Sequence, residues 1–160
     1  MATCRTPTDL GDLEKSTPSS QLLVVKCDVT SEQDIQNAFK SGIEKFGRID
    51  IVFNNAGYGI LAEVESTPEA AARQLFDVNF WGASAVSREA VRVFRDLNPP
   101  GLGGRLYNMS SGGGLVGLPA SGYYSARCVP VIFVHGDLVL TTFSVNSVGF
   151  AWKMTMMNVN

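Results

Sequence analysis

The sequence predicts an α/β fold in which a mainly parallel sheet carries helices on both faces. Short apolar runs with the length of buried strands alternate with longer segments whose apolar residues follow helical spacing. The run at residues 22–27 is continuously apolar for four positions, which is typical of a parallel strand covered on both sides. Segments rich in glycine and proline separate the elements.

Composition limits the class of protein. The 160 residues are enough for one domain, and the net charge of −2 gives no basic surface for nucleic acid or for an acidic membrane. Three widely spaced cysteines form neither a metal motif nor a disulfide framework, which favours a reducing, cytoplasmic compartment and no metal. The apolar stretch at 128–134 is too short to span a bilayer, and Pro130 interrupts it.

The first half of the chain predicts three elements before its first long helix. They are the end of a strand at residues 2–5, a short helix at 9–15 and a strand at 22–27. Thr30 is the predicted N-cap of the long helix, with Gln33 as its capping-box partner. Ile35, Phe39 and similar positions give that helix an apolar face, and Gly47 ends it.

The second half repeats this alternation. A strand at residues 49–53 leads into a loop at 54–57. A helix follows, with Thr67 as N-cap and Pro68 in its first turn, and its apolar positions continue to Phe94. After a breaker-rich turn at 98–104, a strand at 105–109 leads directly to a pair of serines.

Ser111 and Tyr124 are the strongest candidates for chemistry. They stand thirteen positions apart, one after a strand and the other at the start of the next element. A phenol and a hydroxyl that converge on one substrate suit proton transfer to or from an alcohol oxygen. Tyr124 is then the acid or base, and Ser111 is the orienting donor.

Four motifs together resemble the short-chain dehydrogenase/reductase family. In order, they are Asn54-Asn55-Ala56-Gly57, Val78-Asn79-Phe80-Trp81-Gly82, Ser110-Ser111 and Tyr124-Ser125-Ala126. The resemblance implies a Rossmann-like, doubly wound domain over residues 1–126 for dinucleotide binding and catalysis, followed by an irregular, unrelated tail at 127–160. The family's first strand and glycine-rich loop have no counterpart, so the domain is expected to be truncated.

The resemblance also implies catalytic roles. Tyr124 matches the family's proton donor or acceptor, and Ser111 stands at the family's serine spacing, which leaves Ser110 structural. Asn79 would hold, through its backbone, a water that relays protons to the tyrosine. As an alternative, an asparagine within a helix is simply exposed.

The same resemblance assigns residues to a nicotinamide cofactor. Arg5, at the tip of a strand, favours NADP over NAD, because an arginine there accommodates the extra phosphate; the alternative is a solvated arginine. Asp28 would contact the adenine amino group with Val29 beside the ring, or Asp28 merely ends its strand. The cofactor-contacting loop is Asn55, Ala56 and Gly57, which alternatively form an ordinary turn.

Substrate and partner expectations are less specific. The small, apolar residues 112–118 would line the pocket of a hydrophobic or lipid-like carbonyl or alcohol. Family members commonly pair through helices that here correspond to residues 70–95 and to the segment after Tyr124, which predicts a homo-oligomer.

One position departs from the family's pattern. The family has a lysine four residues after its tyrosine, on the same helical face, where its charge binds ribose and lowers the phenol pKa. Cys128 stands there, and Arg127 is a poor substitute because its planar fork differs from an ammonium.

The segment after Tyr124 departs from the family in other ways. Pro130 is expected to disrupt the helix, and the lone His135 is interpreted as a turn residue. The alternative function is therefore an inactive remnant that only pairs with other subunits.

Overall fold

The computed structural model of the chain describes residues 1–111, 119–128, 140–145 and 151–153. Its strands are β1 (Ala2–Cys4), β2 (Val24–Lys26), β3 (Ile51–Asn54), β4 (Arg105–Ser110), β5 (Leu140–Val145) and β6 (Ala151–Lys153). Its α-helices are α1 (Gly11–Ser16), α2 (Glu32–Phe46), α3 (Glu69–Phe76), α4 (Ala83–Asp96) and α5 (Gly122–Cys128), and a 3-10 helix, Pro7–Leu10, precedes α1. The proposed pocket residues 112–118, Pro130 and His135 lie outside the described residues.

The strands form two sheets in which parallel pairing dominates. β1 pairs with β2 in parallel, and β3, β4 and β5 form a second parallel set to which β6 adds an antiparallel edge. Alternation of these strands with helices confirms the predicted α/β class. The tail that was expected to be irregular contains two strands, β5 and β6, and β5 pairs with β4.

Among the described residues, an apolar core joins the two sheets. Helices α2 and α4 pack on each other, and Leu106 of β4 and Cys27 after β2 are buried in the same cluster. The helical residues of this cluster are Ile35, Ala38, Phe39, Val86, Ala90, Val93 and Phe94. Burial of these apolar side chains is the main force that packs α2 and α4 against the two sheets.

The opposite face of β3 is exposed among the described residues. Ile51 and Phe53 point away from the core and keep 56% and 54% of their surface exposed. Val52 and Asn54 alternate with them and face α4, as the two-residue period of a strand requires.

Two predicted N-caps are wrong. Ser31, not Thr30, caps α2, because its hydroxyl accepts a hydrogen bond from the Asp34 N–H at 3.2 Å. Thr30 instead donates its N–H and hydroxyl to Asp28. Pro68 precedes α3, and the hydroxyl of Thr67 donates to the Glu63 carbonyl rather than capping the helix.

The helix expected from Pro68 to Phe94 is not continuous. A π-helical turn, Asp77–Gly82, separates α3 from α4. Such wide turns interrupt the regular hydrogen-bond ladder and are frequent at functional sites. Asn79 lies within this turn and is buried, so it is not the exposed helical asparagine of the alternative interpretation.

Candidate functional site

A cavity of about 480 Å³ brings together three of the predicted cofactor residues. Arg5 follows β1, and Asp28 and Val29 follow β2, so all three lie beyond the carboxyl ends of neighbouring parallel strands. Ligands of open α/β sheets bind at such strand ends. The lining residues that the sequence did not predict include Val78, Trp81 and Gly82 of the π-helical turn.

Asp28 has a structural role within this cavity. Its Oδ1 accepts hydrogen bonds from the Thr30 N–H at 2.9 Å and from the Thr30 hydroxyl at 2.7 Å. These two bonds hold the pKa of Asp28 below its usual range, and the charges of Arg5 and Lys26 lower it further. The carboxylate therefore stays ionised and is held at the end of β2.

Gly82 allows the π-helical turn to approach the loop after β2. A Cβ on Gly82 would lie 2.7 Å from Cγ2 of Val29 and 3.1 Å from its carbonyl oxygen. Because the carbonyl oxygen belongs to the backbone, a side chain at position 82 would push the π-helical turn away from the loop after β2. The glycine thus sets where Val29 stands in the cavity wall.

The thiol of Cys27 lies beneath the same loop. Burial, with the negative charges of Asp34 and Asp28, raises its pKa from 9.0 to about 11. Since the thiolate is the reactive species, the population of reactive sulfur falls about a hundredfold for a shift of two units.

We expect Cys27 to resist alkylation in the folded chain. Iodoacetamide at pH 8 should label it at least about a hundredfold more slowly than in the same chain unfolded in urea, where burial is lost. Peptide mass spectrometry of timed samples measures both rates, with the unfolded chain as the control. Equal labelling of native and unfolded Cys27 would contradict the packing of this loop.

β3 ends with a buried asparagine for which the sequence predicted no role of its own. Asn54 donates from Nδ2 to the Ala83 carbonyl at 3.0 Å and to Asn108 Oδ1 at 2.9 Å. These bonds tie β3 to α4 and β4. The following cofactor candidates, Asn55, Ala56 and Gly57, are exposed at the strand end.

Asn79 also acts structurally through its side chain. Its Nδ2 donates to the Tyr58 carbonyl at 2.7 Å, and its Oδ1 accepts from the Tyr58 N–H at 3.0 Å. The sequence-based proposal concerned only its backbone. With the backbone of Tyr58 held at both polar groups, the loop after β3 is fixed to the π-helical turn.

Tyr124 and Ser111 are delivered to the same end of the second sheet. Ser111 follows β4, and the pairing of Asn54 with Asn108 shows that β3 and β4 end side by side. Tyr124, in α5, packs its ring against Gly59 of the loop after β3. Ser111 thus lies at the carboxyl end of β4, and Tyr124 lies against the loop that leaves the carboxyl end of the neighbouring strand β3.

Helix α5 forms although Pro130, two residues after its end, was expected to disrupt it. It is helical from Gly122 to Cys128 and so includes the position of the missing lysine. Backbone position 128 stands one helical turn after Tyr124, on the same face.

Two negative findings apply to the described ranges only. There, no helix has the length and hydropathy that a membrane crossing requires. In the same ranges, no three histidine, cysteine, aspartate or glutamate residues cluster as metal ligands would.

Comparisons with known proteins agree with this architecture. The sequence model of the short chain dehydrogenase family matches residues 5–128. An uncharacterized oxidoreductase of Schizosaccharomyces pombe is 39% identical over 110 residues, which are 69% of this chain and 34% of that protein. A 3-ketodihydrosphingosine reductase of Bacteroides thetaiotaomicron is 33% identical over 106 residues, 66% of this chain and 37% of that protein.

Solved structures give the same result. The structure of an NAD⁺-bound xylitol dehydrogenase superposes with a TM-score of 0.69 at 29% identity, covering 79% of this chain and 48% of that one. The chain thus spans between about a third and a half of the length of these relatives.

Proposed function

We propose that this chain, which belongs to the short-chain dehydrogenase family, is an NADP-dependent oxidoreductase acting on a carbonyl or alcohol group. The observation that carries the proposal is the cavity in which Arg5, Asp28 and Val29 meet. Its lining includes the Arg5 guanidinium and the side chain of Val29, which fit the phosphorylated ribose and the adenine of NADP, respectively. The loop formed by Asn55, Ala56 and Gly57 would continue this contact towards the second sheet.

The catalytic roles follow from the strand-end region. Bound nicotinamide would supply hydride to a carbonyl carbon, or accept it in the reverse direction. The Tyr124 hydroxyl donates a proton to the carbonyl oxygen as it becomes an alcohol, and the Ser111 hydroxyl donates a hydrogen bond to that oxygen. Asn79 supports Tyr124, with its backbone as the proposed site of a relaying water.

The substrate is proposed to be small and hydrophobic or lipid-like. The apolar residues 112–118 support this class by their composition, and one relative is named a 3-ketodihydrosphingosine reductase. The free thiols of Cys4 and Cys27 support a reducing, cytoplasmic compartment. We also propose self-association, as in the family, and a functional boundary near residue 126.

Turnover and cofactor binding test the enzyme proposal together. The purified chain is titrated with NADPH and NADH by fluorescence, and a panel of hydrophobic aldehydes and ketones is assayed for NADPH oxidation. Tighter binding of NADPH with measurable reduction supports the proposal. A folded chain that shows neither would overturn it.

A specific observation favours a second candidate, a non-catalytic chain that pairs with other subunits. Ile51 and Phe53 form an apolar surface on β3, and exposed apolar strands are prone to association. Light scattering that gives a stable oligomer, with no turnover and no NADPH binding, would support this candidate over the enzyme.

Arg5 gives the cofactor proposal its sharpest test. Replacing it with alanine should weaken NADPH binding about 10- to 100-fold, because charge-assisted hydrogen bonds contribute about 1.5–3 kcal/mol each. NADH binding should change little. Arg48→Ala is the matched control. Arg48 is also exposed, but it pairs with Asp50 just before β3, at the end of that strand away from the loop at 55–57. Equal losses for both cofactors would contradict the assignment to the phosphate.

A further inference from the structure

The ring of Tyr124 lies directly against the backbone of Gly59. A Cβ built on Gly59 would be 3.0 Å from both Cδ2 and Cε2 of the tyrosine and 3.8 Å from its Cγ. Ordinary carbon contacts are about 3.5–4.0 Å. Gly59 does not have a positive φ, so a side chain here would meet the tyrosine ring and not a backbone restriction.

The side chain of Asn79 anchors the loop that carries Gly59. Tyr58, the preceding residue, is bonded at both its N–H and its carbonyl by the buried side chain of Asn79. Moving Gly59 away from the ring would strain or break these bonds, and an unpaired buried amide is costly. The loop is therefore the rigid partner of this contact.

Helix α5 is seated on the same loop at a second point. A Cβ on Gly122, its first residue, would lie 2.5 Å from Cγ2 of Val64. Two glycines, one on each side of this interface, thus allow the helix to lie close to the loop. A shift of the whole helix away from the loop would open the Gly122–Val64 contact, so a group added at Gly59 acts mainly on the tyrosine ring.

We propose that Gly59 is a positioning residue for Tyr124: the absence of its side chain sets the place of the phenol. The inference rests on the proposed function, in which the Tyr124 hydroxyl transfers the proton. A methyl group at position 59 displaces the ring, and proton transfer is sensitive to displacements below 1 Å. Gly59 itself touches neither hydride nor proton.

Gly59→Ala tests the inference without turnover. In protein labelled with ¹³C-tyrosine, the ring signals of Tyr124, assigned by their loss in Tyr124→Phe, should move in Gly59→Ala. They should stay in place in Gly11→Ala, since a Cβ on Gly11 meets nothing within 4 Å. Unmoved Tyr124 signals in a folded Gly59→Ala chain would overturn the inference, whether or not the chain is active.

Kinetics test the functional half. We expect Gly59→Ala to lower kcat about 10- to 100-fold, with substrate KM and NADPH Kd nearly unchanged. In a Tyr124→Phe background the same substitution should cost nothing more, because the group being positioned is gone. Equal fold-losses in both backgrounds would mean that Gly59 acts through something else. Full activity in Tyr124→Phe would instead contradict the proposed function. The NMR signals of the Tyr124 ring would then be the test of the Gly59 contact.

Discussion

Tyr124→Phe is expected to lower kcat/KM for NADPH-dependent carbonyl reduction by about 10²- to 10⁴-fold, the range that general acid catalysis contributes. The substitution removes one oxygen and keeps the ring that packs against Gly59, so α5 should remain seated. NADPH binding at the Arg5 cavity should be unchanged, because Tyr124 is not among the residues that line it. Steady-state kinetics and fluorescence titration measure the two effects separately.

Tyr123→Phe is the matched control for this prediction. Tyr123 is the neighbouring residue of the same helix and is likewise half-buried. Successive helical residues point about 100° apart, so Tyr123 presents its hydroxyl elsewhere. Equal kinetics for Tyr124→Phe and the unmodified chain, or a large loss in Tyr123→Phe, would contradict the role of Tyr124.

The main elements were predictable because they depend on local sequence patterns. The apolar run before Asp28 predicted β2, and the helical spacing from Ile35 predicted the buried face of α2. Gly47 ends α2 as predicted, with a φ of 81° that suits glycine. These features need no knowledge of distant contacts.

The N-cap of α2 was missed because two adjacent hydroxyls compete for one role. Thr30 and Ser31 both suit a helix start, and the choice depends on Asp28, which binds Thr30. Asp28 accepts hydrogen bonds from the N–H and the hydroxyl of Thr30 and so forms a local turn. This pattern favours the next hydroxyl as the cap.

The site was only partly predictable because several of its contacts join distant segments. The side-chain hydrogen bonds of Asn79 to Tyr58 span 21 positions, and the contact between Gly59 and Tyr124 joins the loop after β3 to α5. The burial of Asn54 was accessible, since it continues the inward alternation of Val52 along β3. The motif drew attention to Asn55 instead, whose exposed position suits a ligand rather than the core.

Cys128→Lys is expected to raise kcat for carbonyl reduction about 10- to 100-fold near neutral pH. Helix α5 extends through this position, one turn after Tyr124, so a lysine would share the tyrosine's face. A cation within about 4–6 Å stabilises a phenolate and can bind a ribose hydroxyl. The pH profile of kcat should therefore move towards lower pH, which a gain in stability alone would not cause.

Two controls separate the charge from the loss of the thiol. Cys128→Ala removes the sulfur without adding charge and should leave kcat unchanged. Ala126→Lys places the same ammonium on an exposed position of α5, two residues after Tyr124, where side chains do not face each other. If all three variants have equal kcat values and pH profiles, then position 128 does not act on Tyr124. A rise restricted to Cys128→Lys would show that the strand-end region retains a working proton donor whose activity is limited by one missing charge.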